Sequence, residues 1–131
     1  MLYPFIIHSS QKEEMINITS FVEENVKNVQ SGIAFVYIAH TTAAIVINEN
    51  ADPNIGKDFH HLLQKLVPSG IWEHDKIDQN AAAHLKAMLI GPSSTVVIED
   101  GRLKLGTWQD LFLVEFDGPR EREIFVKVLS S

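Results

Sequence analysis

Residues 93–109, SSTVVIEDGRLKLGTWQ, decide how the last third of this chain folds. The segment starts with an apolar strand pattern over Thr95–Glu99, turns at Asp100-Gly101 and continues into a second strand pattern over Arg102–Leu105. An Asp-Gly pair supplies the positive φ angles that a two-residue hairpin turn needs. The stretch therefore predicts an antiparallel hairpin.

The string Gly106-Thr107-Trp108-Gln109 follows this hairpin and combines backbone freedom, a hydroxyl, a large flat ring and an amide. Such a combination suits the rim of a binding site, where Thr107, Trp108 and Gln109 would contact a substrate. The alternative is a glycine bend with Trp108 packed into the core and Gln109 in solvent. Spacing alone leaves both interpretations open.

Length and composition indicate one globular domain that spans residues 1–131. The chain is 45% hydrophobic and has no cysteine. A chain of this length buries roughly two-thirds of the surface that it exposes when unfolded. The lack of cysteine excludes disulfides, thiolate metal ligands and thiol catalysis.

Charge and hydropathy narrow the possible partners. The formal charge is −6, from 17 acidic and 11 basic side chains, and the basic residues form no continuous stripe. This balance argues against a general nucleic-acid-binding protein. No segment approaches the roughly 18 to 20 apolar residues of a membrane span, and the N-terminus lacks a positively charged region. We expect a cytoplasmic protein that contacts neither nucleic acid nor membrane.

Two helices are marked by their N-terminal residues. Ser20 and Glu23 have the Ser-x-x-Glu form of a capping box, and we expect this helix to continue to about Gln30. Asp52-Pro53 places an N-cap before a proline at the first position of the second helix. The apolar stripe of this second helix consists of Ile55, Phe59, Leu62, Leu63 and Leu66.

His60 and His61 lie off that stripe, so we expect both in solvent. A third helix is predicted from about Gln79 to Met88, with Asp78 as its cap. Its inward residues are expected to be Ala81, Ala82, Leu85 and Leu89.

The remaining apolar segments read as strands. They are Leu2–Ile7, Ile33–Ala39, Ala43–Ile47, Thr95–Glu99, Arg102–Leu105, Leu111–Phe116 and Arg122–Leu129. We therefore predict an α+β fold in which mainly antiparallel β-sheets form a sandwich-like core with about three α-helices.

The strand patterns also bear on assembly. Ile33–Ala39 and Ala43–Ile47 are nearly continuous apolar runs, which is typical of strands buried on both faces. Three helices cannot cover so many strands, so one chain would leave apolar sheet exposed. We predict a homo-oligomer.

Polar side chains follow the two buried strand patterns. His40 comes directly after the first, and Asn48-Glu49 ends the second, at positions where loop residues often carry function. The alternative for His40 is a structural, hydrogen-bonded turn with Thr41-Thr42.

Glu115 is a candidate because strand alternation places it on the same face as Leu111 and Leu113. Burial would raise its pKa if it were unpaired, whereas a metal, an arginine or a protonated histidine would keep it ionised. The alternatives are a strand end already exposed to water and a purely structural pair with Arg120 or Arg122.

Four cations lie in the last third of the chain, where they could form one pocket for a phosphate or carboxylate. They are Arg102, Lys104, Arg120 and Arg122. The alternative is that each is a separate charge in solvent.

Histidines and an amide could converge on a metal site. Asn80 and His84 are one helical turn apart at the edge of the apolar stripe of the third predicted helix, from which they can reach a cleft. With His74 and His40 they could converge, and three imidazoles plus Asp52 or Glu115 would suit zinc or a similar divalent ion with a position open to water or substrate. No HExxH or similar local pair supports this set, so convergence has to come from the fold.

Several strings occur here in an order that resembles the YjbQ-like family, also described as secondary thiamine-phosphate synthases. They are His40-Thr41-Thr42, Asn48-Glu49-Asn50-Ala51-Asp52-Pro53, Ala83-His84-Leu85-Lys86-Ala87 and GRLKLGTWQ at 101–109. The similarity extends from about Ile33 to Leu129. It implies a trimer of α+β subunits with sites near the subunit boundaries, and histidines matching His40, His74 and His84 belong to the recurring motifs of that family.

The family description implies an activity: coupling hydroxymethylpyrimidine diphosphate to a thiazole phosphate, with release of diphosphate. Such a transferase needs a divalent ion and cations for the leaving group, and an aromatic wall such as Trp108 for the pyrimidine. The available cations are Lys86, Lys104, Arg102 and Arg120, and the oxygen ligands for magnesium are Glu49, Asp52 and Glu115.

Three hypotheses remain from the sequence. The protein is a weak thiamine-phosphate synthase with magnesium, or a metal-dependent hydrolase with His40, His74 and His84 as ligands and Glu115 as base, or a binding protein that captures a small anionic metabolite. In the first two, Glu115, Asn80 and His84 are the expected catalytic residues. In all three, the expected substrate contacts are Thr41, Asn48, Lys86, Arg102, Thr107, Trp108, Gln109 and Arg120.

Overall fold

The structure is a computed structural model that describes residues 2–131. Its strands are β1 (Leu2–His8), β2 (Glu14–Asn17), β3 (Ser31–Ile38), β4 (Ala43–Glu49), β5 (Ser93–Glu99), β6 (Arg102–Leu103), β7 (Gln109–Glu115) and β8 (Glu121–Ser130). Its helices are α1 (Thr19–Val26), α2 (Pro53–Leu66) and α3 (Ala81–Ile90), with a short 3₁₀ turn at Glu73–Lys76.

Two antiparallel sheets face each other across the main core. The first has the strand order β1-β8-β3-β5-β6 and the second has the order β2-β7-β4. The apolar residues between them include Val36, Ile38, Ile45, Leu111, Leu113 and Ile124. The predicted α+β fold with a sandwich-like, mainly antiparallel core is confirmed.

Helices α2 and α3 cover the other face of the three-stranded sheet. Ala44 and Val114, which alternate with the core residues along β4 and β7, pack there with Leu63, Ala83 and Ala87. Helix α2 begins as predicted, because the side chain of Asp52 accepts a 2.9 Å hydrogen bond from the backbone N–H of Asn54. Cap chemistry that acts within three residues can be identified from the sequence.

The caps and the bounds of the other two helices differ from the prediction. Helix α1 ends at Val26, well before Gln30, and Ser20 and Glu23 form no capping box. Helix α3 begins at Ala81, whose N–H is bound by the Asp75 side chain rather than by Asp78. In α3 the inward set is also different, because Lys86 is buried and Leu89 is 62% exposed.

The predicted hairpin is confirmed. Glu99 pairs with Arg102 across the turn, and Asp100 and Gly101 have φ angles of 54° and 74°. Two positive φ angles define a type I′ turn, whose twist matches that of the flanking strands. Strand β6 is shorter than expected and ends at Leu103.

The outer face of the five-stranded sheet is apolar and uncovered. Strand β3 alternates buried and exposed residues, so the expectation that Ile33–Ala39 is buried on both faces is wrong for the single chain. The expectation holds for the first half of β4, where Ala43, Ala44 and Ile45 are all buried. Exposed apolar residues on the five-stranded sheet are Leu2, Ile6, Ile33, Phe35, Tyr37, Val97 and Leu129. One chain thus leaves apolar sheet exposed, as predicted.

A search of the described helices for a membrane-spanning segment finds none of sufficient length and hydropathy.

Candidate functional site

A cavity of about 690 Å³ lies beside the end of β3 and the start of β8. Three separate segments contribute its principal polar residues: His40 and Thr41 after β3, Asn80 and His84 at α3, and Asp117 and Arg120 between β7 and β8. We call it the His40 cavity. Its volume is within the range of about 300 to 1,000 Å³ that is usual for small-molecule sites.

A buried ion pair stands at one wall of this cavity. Arg122 lines the cavity, and its guanidinium donates from Nε to Glu115 Oε1 over 2.8 Å and from Nη2 to Glu115 Oε2. Arg122 Nη2 also donates to the hydroxyl of Thr42 over 2.8 Å. Glu115 is 0% exposed and Arg122 is 2% exposed, so the two charges compensate each other away from water.

The carboxyl group of Glu115 is held ionised by this environment. Burial would raise its pKa, but hydrogen bonds from Arg122, Ser9 and the backbone N–H of Asp117 outweigh burial and lower the pKa below its ordinary value. The structural pair with Arg122, one of the alternatives from the sequence, is therefore what the structure contains. A catalytic role for Glu115 stays a prediction.

The connection between β7 and β8 is fixed at both ends. Ser9 Oγ donates to Glu115 Oε1 over 2.7 Å and accepts the backbone N–H of Arg120 over 2.9 Å. Within the connection, Gly118 cannot carry a side chain, because a Cβ there would lie 2.1 Å from the carbonyl oxygen of Gln11. The segment that carries Arg120 is thus tied to the end of β1.

Asp117 links this connection to helix α3. Its Oδ2 accepts from Asn80 Nδ2 and from Arg120 Nη2, each over 3.0 Å, and its carbonyl accepts from Arg120 Nε over 2.8 Å. Burial would raise the pKa of Asp117, but the hydrogen bonds from Asn80 and Arg120 lower it on balance. The ionised carboxylate fixes the orientation of both donors at the cavity.

His40 also lines the cavity. Strand β3 ends at Ile38, whose register partner on β8 is Ile124. One residue further along, the backbone N–H of Glu123 donates to His40 Nε2 over 3.1 Å. Burial lowers the pKa of His40, and the positive charge of Arg122 lowers it further. The imidazole is therefore neutral at pH 7.

The other two predicted histidines lie next to each other. The rings of His74 and His84 meet edge to face, with centroids 5.0 Å apart and planes at 83°. His74 Nε2 is 3.6 Å from Asp78 Oδ2, which is too long for a hydrogen bond, and within the described residues the Oδ1 of Asn80 has no partner. These groups have unused hydrogen-bonding capacity.

The predicted metal ligands do not form a coordination site within one chain. Residues 2–131 contain no group of three His, Asp or Glu side chains placed to hold a metal ion. In addition, His40 Nε2 already accepts a hydrogen bond. The donor set as it stands does not fit zinc bound by His40, His74 and His84, and metal binding stays a prediction.

Several predicted contacts lie away from the His40 cavity. Trp108 is 63% exposed, which excludes the core alternative, but it lies at the opposite end of β7 from Glu115. Six residue steps along a strand span roughly 20 Å. The GTWQ string instead forms a turn in which Gln109 Oε1 accepts the N–H of Gly106 over 2.8 Å. Thr107 lies in the same turn.

Three further predicted contacts are also separated from it. Arg102 is exposed on the edge hairpin, and Asn48 lines an apolar groove along α2. The buried Nζ of Lys86 donates to Glu13 Oε1 over 3.1 Å and to Gln64 Oε1 over 3.3 Å. Of the predicted site residues, the cavity therefore brings together His40, Thr41, Asn80, His84 and Arg120, with His74 adjacent.

Glu13 also binds His60, which corrects the expectation that His60 is in solvent. Its Oε2 lies 2.8 Å from His60 Nδ1, and the His60 side chain is only 18% exposed. The hydrogen bond from His60 lowers the pKa of Glu13 and, with that from Lys86, outweighs the effect of burial. The error arose because the segment before β2 covers this side of α2. His61 is exposed as predicted.

Sequence reasoning missed Ser9 and Asp117, and it considered Arg122 as one of four cations for an anion pocket and as an alternative partner of Glu115. A signal for Arg122 was available, because strand alternation places it on the apolar face with Ile124 and Val126, as it does Glu115 on β7. Two opposite charges on facing apolar surfaces predict a buried pair. Ser9 and Asp117 carried no comparable signal, since both are common loop residues.

Comparison with known proteins identifies the family. The family model described as "UPF0047 protein YjbQ-like" matches residues 4–131. A UPF0047 protein of Methanocaldococcus jannaschii is 43% identical over 133 residues, covering 100% of this chain and 96% of that protein. The UPF0047 protein YugU of Bacillus subtilis is 42% identical, covering 98% of this chain and 99% of its own.

Solved structures support the same family assignment. A protein from Sulfolobus solfataricus, described as YbjQ-like and of unknown function, superimposes with a TM-score of 0.95 at 37% identity, covering 100% of this chain and 97% of that chain. An uncharacterised YjbQ/UPF0047 protein of Clostridium acetobutylicum has a TM-score of 0.92 at 43% identity, covering 97% and 99%. The chain described here belongs to the YjbQ-like UPF0047 family.

Proposed function

We propose that this protein is a cytoplasmic enzyme that binds a small phosphorylated metabolite in the His40 cavity. The observation that carries the proposal is the convergence of His40, Asn80, His84 and Arg120, from segments far apart in the sequence, on one cavity of metabolite size. Imidazole and guanidinium groups supply hydrogen-bond donors for a phosphate, and imidazole is a common general acid or base.

The specific form of the proposal is weak thiamine-phosphate synthase activity, a transferase reaction suggested by the family resemblance. The supply of cations accounts for the activity being weak. Arg122 is occupied by Glu115, Lys86 is occupied by Glu13, and Arg102 is on the edge hairpin. Lys104 directly follows β6 at the sheet edge. Arg120, the remaining predicted cation at this cavity, is itself paired with Asp117 and has only its Nη1 unbound among the described residues, so the leaving diphosphate would receive little charge compensation in one chain.

We further propose that the protein forms a homotrimer. The support is the uncovered apolar outer face of the five-stranded sheet, to which Phe35, Tyr37 and Leu129 contribute. The number three comes from the family resemblance. Static light scattering on the purified protein gives the number of chains directly, and a monomer would contradict the proposal.

Calorimetry tests ligand binding. Thiazole phosphate and hydroxymethylpyrimidine diphosphate, each with Mg²⁺, should bind to the parent protein, and Arg120→Gln should weaken binding about tenfold or more. Arg102→Gln is the matched control, because that arginine lies outside the cavity, and it should bind as the parent does. Equal affinity in all three proteins would contradict the cavity assignment.

Turnover separates an enzyme from a binding protein. Formation of thiamine phosphate from the two substrates, lost in His84→Ala while the fold is retained, is the expected result. Binding without product would reject the transferase and leave a metabolite-binding protein.

A further inference from the structure

We infer that His40 binds an anionic oxygen of the ligand by donating its Nδ1–H, and that it acts as a hydrogen-bond donor rather than as a base or a metal ligand. The inference rests on the proposed function, because it concerns the same cavity. It adds the role of one residue and the chemical class that this residue recognises: a phosphate or carboxylate oxygen.

The proton position follows from one backbone contact. A backbone N–H can only donate, so the N–H of Glu123 at 3.1 Å requires a lone pair on His40 Nε2. A neutral imidazole carries one proton, and that proton must therefore be on Nδ1. Neutral His40 presents Nδ1–H as its donor.

The strand geometry explains why this tautomer is kept. Glu123 belongs to β8, which lies between β1 and β3. Strand β3 ends at Ile38, so the ring of His40 supplies an acceptor at the point where the neighbouring strand stops. Protonating Nε2 would replace this hydrogen bond with two donors facing each other at 3.1 Å, which is unfavourable. The lowered pKa of His40 agrees with a neutral ring.

Arg120 supplies a second donor at the same cavity. Its Nε and Nη2 bind Asp117, while its Nη1 has no protein partner among the described residues. Asp117 compensates the charge of Arg120 but leaves its Nη1 unbound, and the other nearby acids, Asp78, Glu121 and Glu123, are exposed. An oxyanion that reaches both Nδ1–H and Nη1 satisfies two donors at once.

The tautomer also bears on metal binding. A metal at His40 Nε2 would displace the N–H of Glu123, and a metal at Nδ1 would shift the ring proton to Nε2, opposite that same N–H. Both changes disturb the end of the β3–β8 ladder. His40 is therefore unsuited to the ligand role that the sequence suggested.

The first test is NMR of the ligand-free protein labelled with ¹⁵N-histidine, using long-range correlations that distinguish Nδ1–H from Nε2–H. The expected result at pH 7.5 is the Nδ1–H form for His40, assigned by its loss in His40→Asn. Titration with inorganic phosphate should then move the Nδ1 signal while the proton stays on Nδ1. An Nε2–H tautomer overturns the inference whether or not any ligand binds.

The second test is a pair of substitutions. His40→Asn keeps an amide nitrogen close to the position of Nδ1, whereas His40→Gln keeps an amide near the position of Nε2 and loses the donor on the δ side. Phosphate affinity should fall only a few-fold in His40→Asn and about tenfold or more in His40→Gln. The reverse order overturns the inference.

The combined results separate this inference from the proposed function. Phosphate binding that is lost in Arg120→Gln but unchanged in His40→Gln leaves the proposed function standing and rejects the role of His40. If no phosphate compound binds to a protein with the Nδ1–H tautomer, the proposed function fails and the ligand role of His40 fails with it.

Discussion

Arg122 binds both carboxylate oxygens of Glu115 at a position where neither side chain has appreciable contact with solvent. Their strands belong to different sheets, since β7 lies in the three-stranded sheet and β8 in the five-stranded sheet. The pair therefore joins the two layers of the sandwich at the end that carries the His40 cavity.

Removing one charge of this pair should be strongly destabilising. Glu115→Gln leaves the Arg122 guanidinium buried and uncompensated, and the expected loss in the free energy of unfolding is about 3–5 kcal/mol. Urea denaturation measures it. Glu99→Gln, the same change at an exposed strand position, should alter stability by less than about 0.5 kcal/mol. Similar losses in both variants would show that the buried pair contributes nothing particular.

Ser9 offers a test of how the cavity is held in place. Ser9→Ala removes a donor to Glu115 and an acceptor for the N–H of Arg120, and should cost about 1–3 kcal/mol of unfolding free energy. We also expect weaker phosphate binding, because the Arg120 segment loses its tie to β1. Ser10→Ala, at the exposed neighbouring position, is the control. If ligand affinity is unchanged in a folded Ser9→Ala protein, Arg120 is positioned by Asp117 alone.

Stability should decline as the pH falls through the histidine range. The pKa of His40 is lower in the folded protein than the value of about 6.5 in an unfolded chain. Between these two pKa values the unfolded state binds more protons than the folded state, so the free energy of unfolding rises with pH across that window. The contribution of His40 to stability is therefore lost as the pH is lowered through it. Urea titrations from pH 7.5 to 5 measure this slope. His40→Asn should have a shallower slope, and an unchanged slope would contradict the assignment.

The buried Lys86 should matter more than an exposed lysine. Lys86→Met keeps the aliphatic stem but removes the cation that Glu13 binds, and we expect a loss of about 1–3 kcal/mol because Glu13 retains partial solvent access and His60. Lys65→Met on the exposed side of α2 should be nearly neutral. A neutral Lys86→Met would mean that His60 alone suffices for Glu13.

The uncovered sheet face should control assembly. Phe35 is 38% exposed and stacks with Tyr37, so Phe35→Glu places a charge in an apolar surface without disturbing the core. Light scattering should report a folded monomer for Phe35→Glu and an unchanged oligomer for Phe35→Leu. A Phe35→Glu protein that keeps the parent mass would show that assembly uses another surface.

Local chemistry accounts for what the sequence could predict of the fold. The Asp100-Gly101 turn and the Asp52 cap depend on groups within a few residues, and both were identified correctly. Strand β2 was missed because Glu14–Asn17 has only four residues and no clear alternation. The environment of His60 depends on that segment, so it could not be read from the stripe of α2 alone.

Only some features of the candidate site could be inferred from the sequence, because the others depend on contacts between distant segments. The sequence singled out His40 at a strand end, Asn80 and His84 at a helix edge and Arg120 as a cation, and the structure brings these four residues to one cavity. The acceptor role of His40 depends on Glu123, which is 83 residues away. The sequence could show that GTWQ was unusual, but only the topology shows which end of β7 it occupies.

The tie between Ser9 and Arg120 has a consequence for how the protein is made. Strand β1 pairs along its whole length with β8, so β1 has no neighbouring strand until β8 has been synthesised. Contacts of such high sequence separation form late in folding, because a long loop must close first. A nascent chain that ends before β8 contains the residues of all three helices but lacks Arg122 and the strand that pairs with β1 and β3. The His40 cavity therefore takes shape only after β8 has joined the sheet, and a chain cut before β8 should lack it.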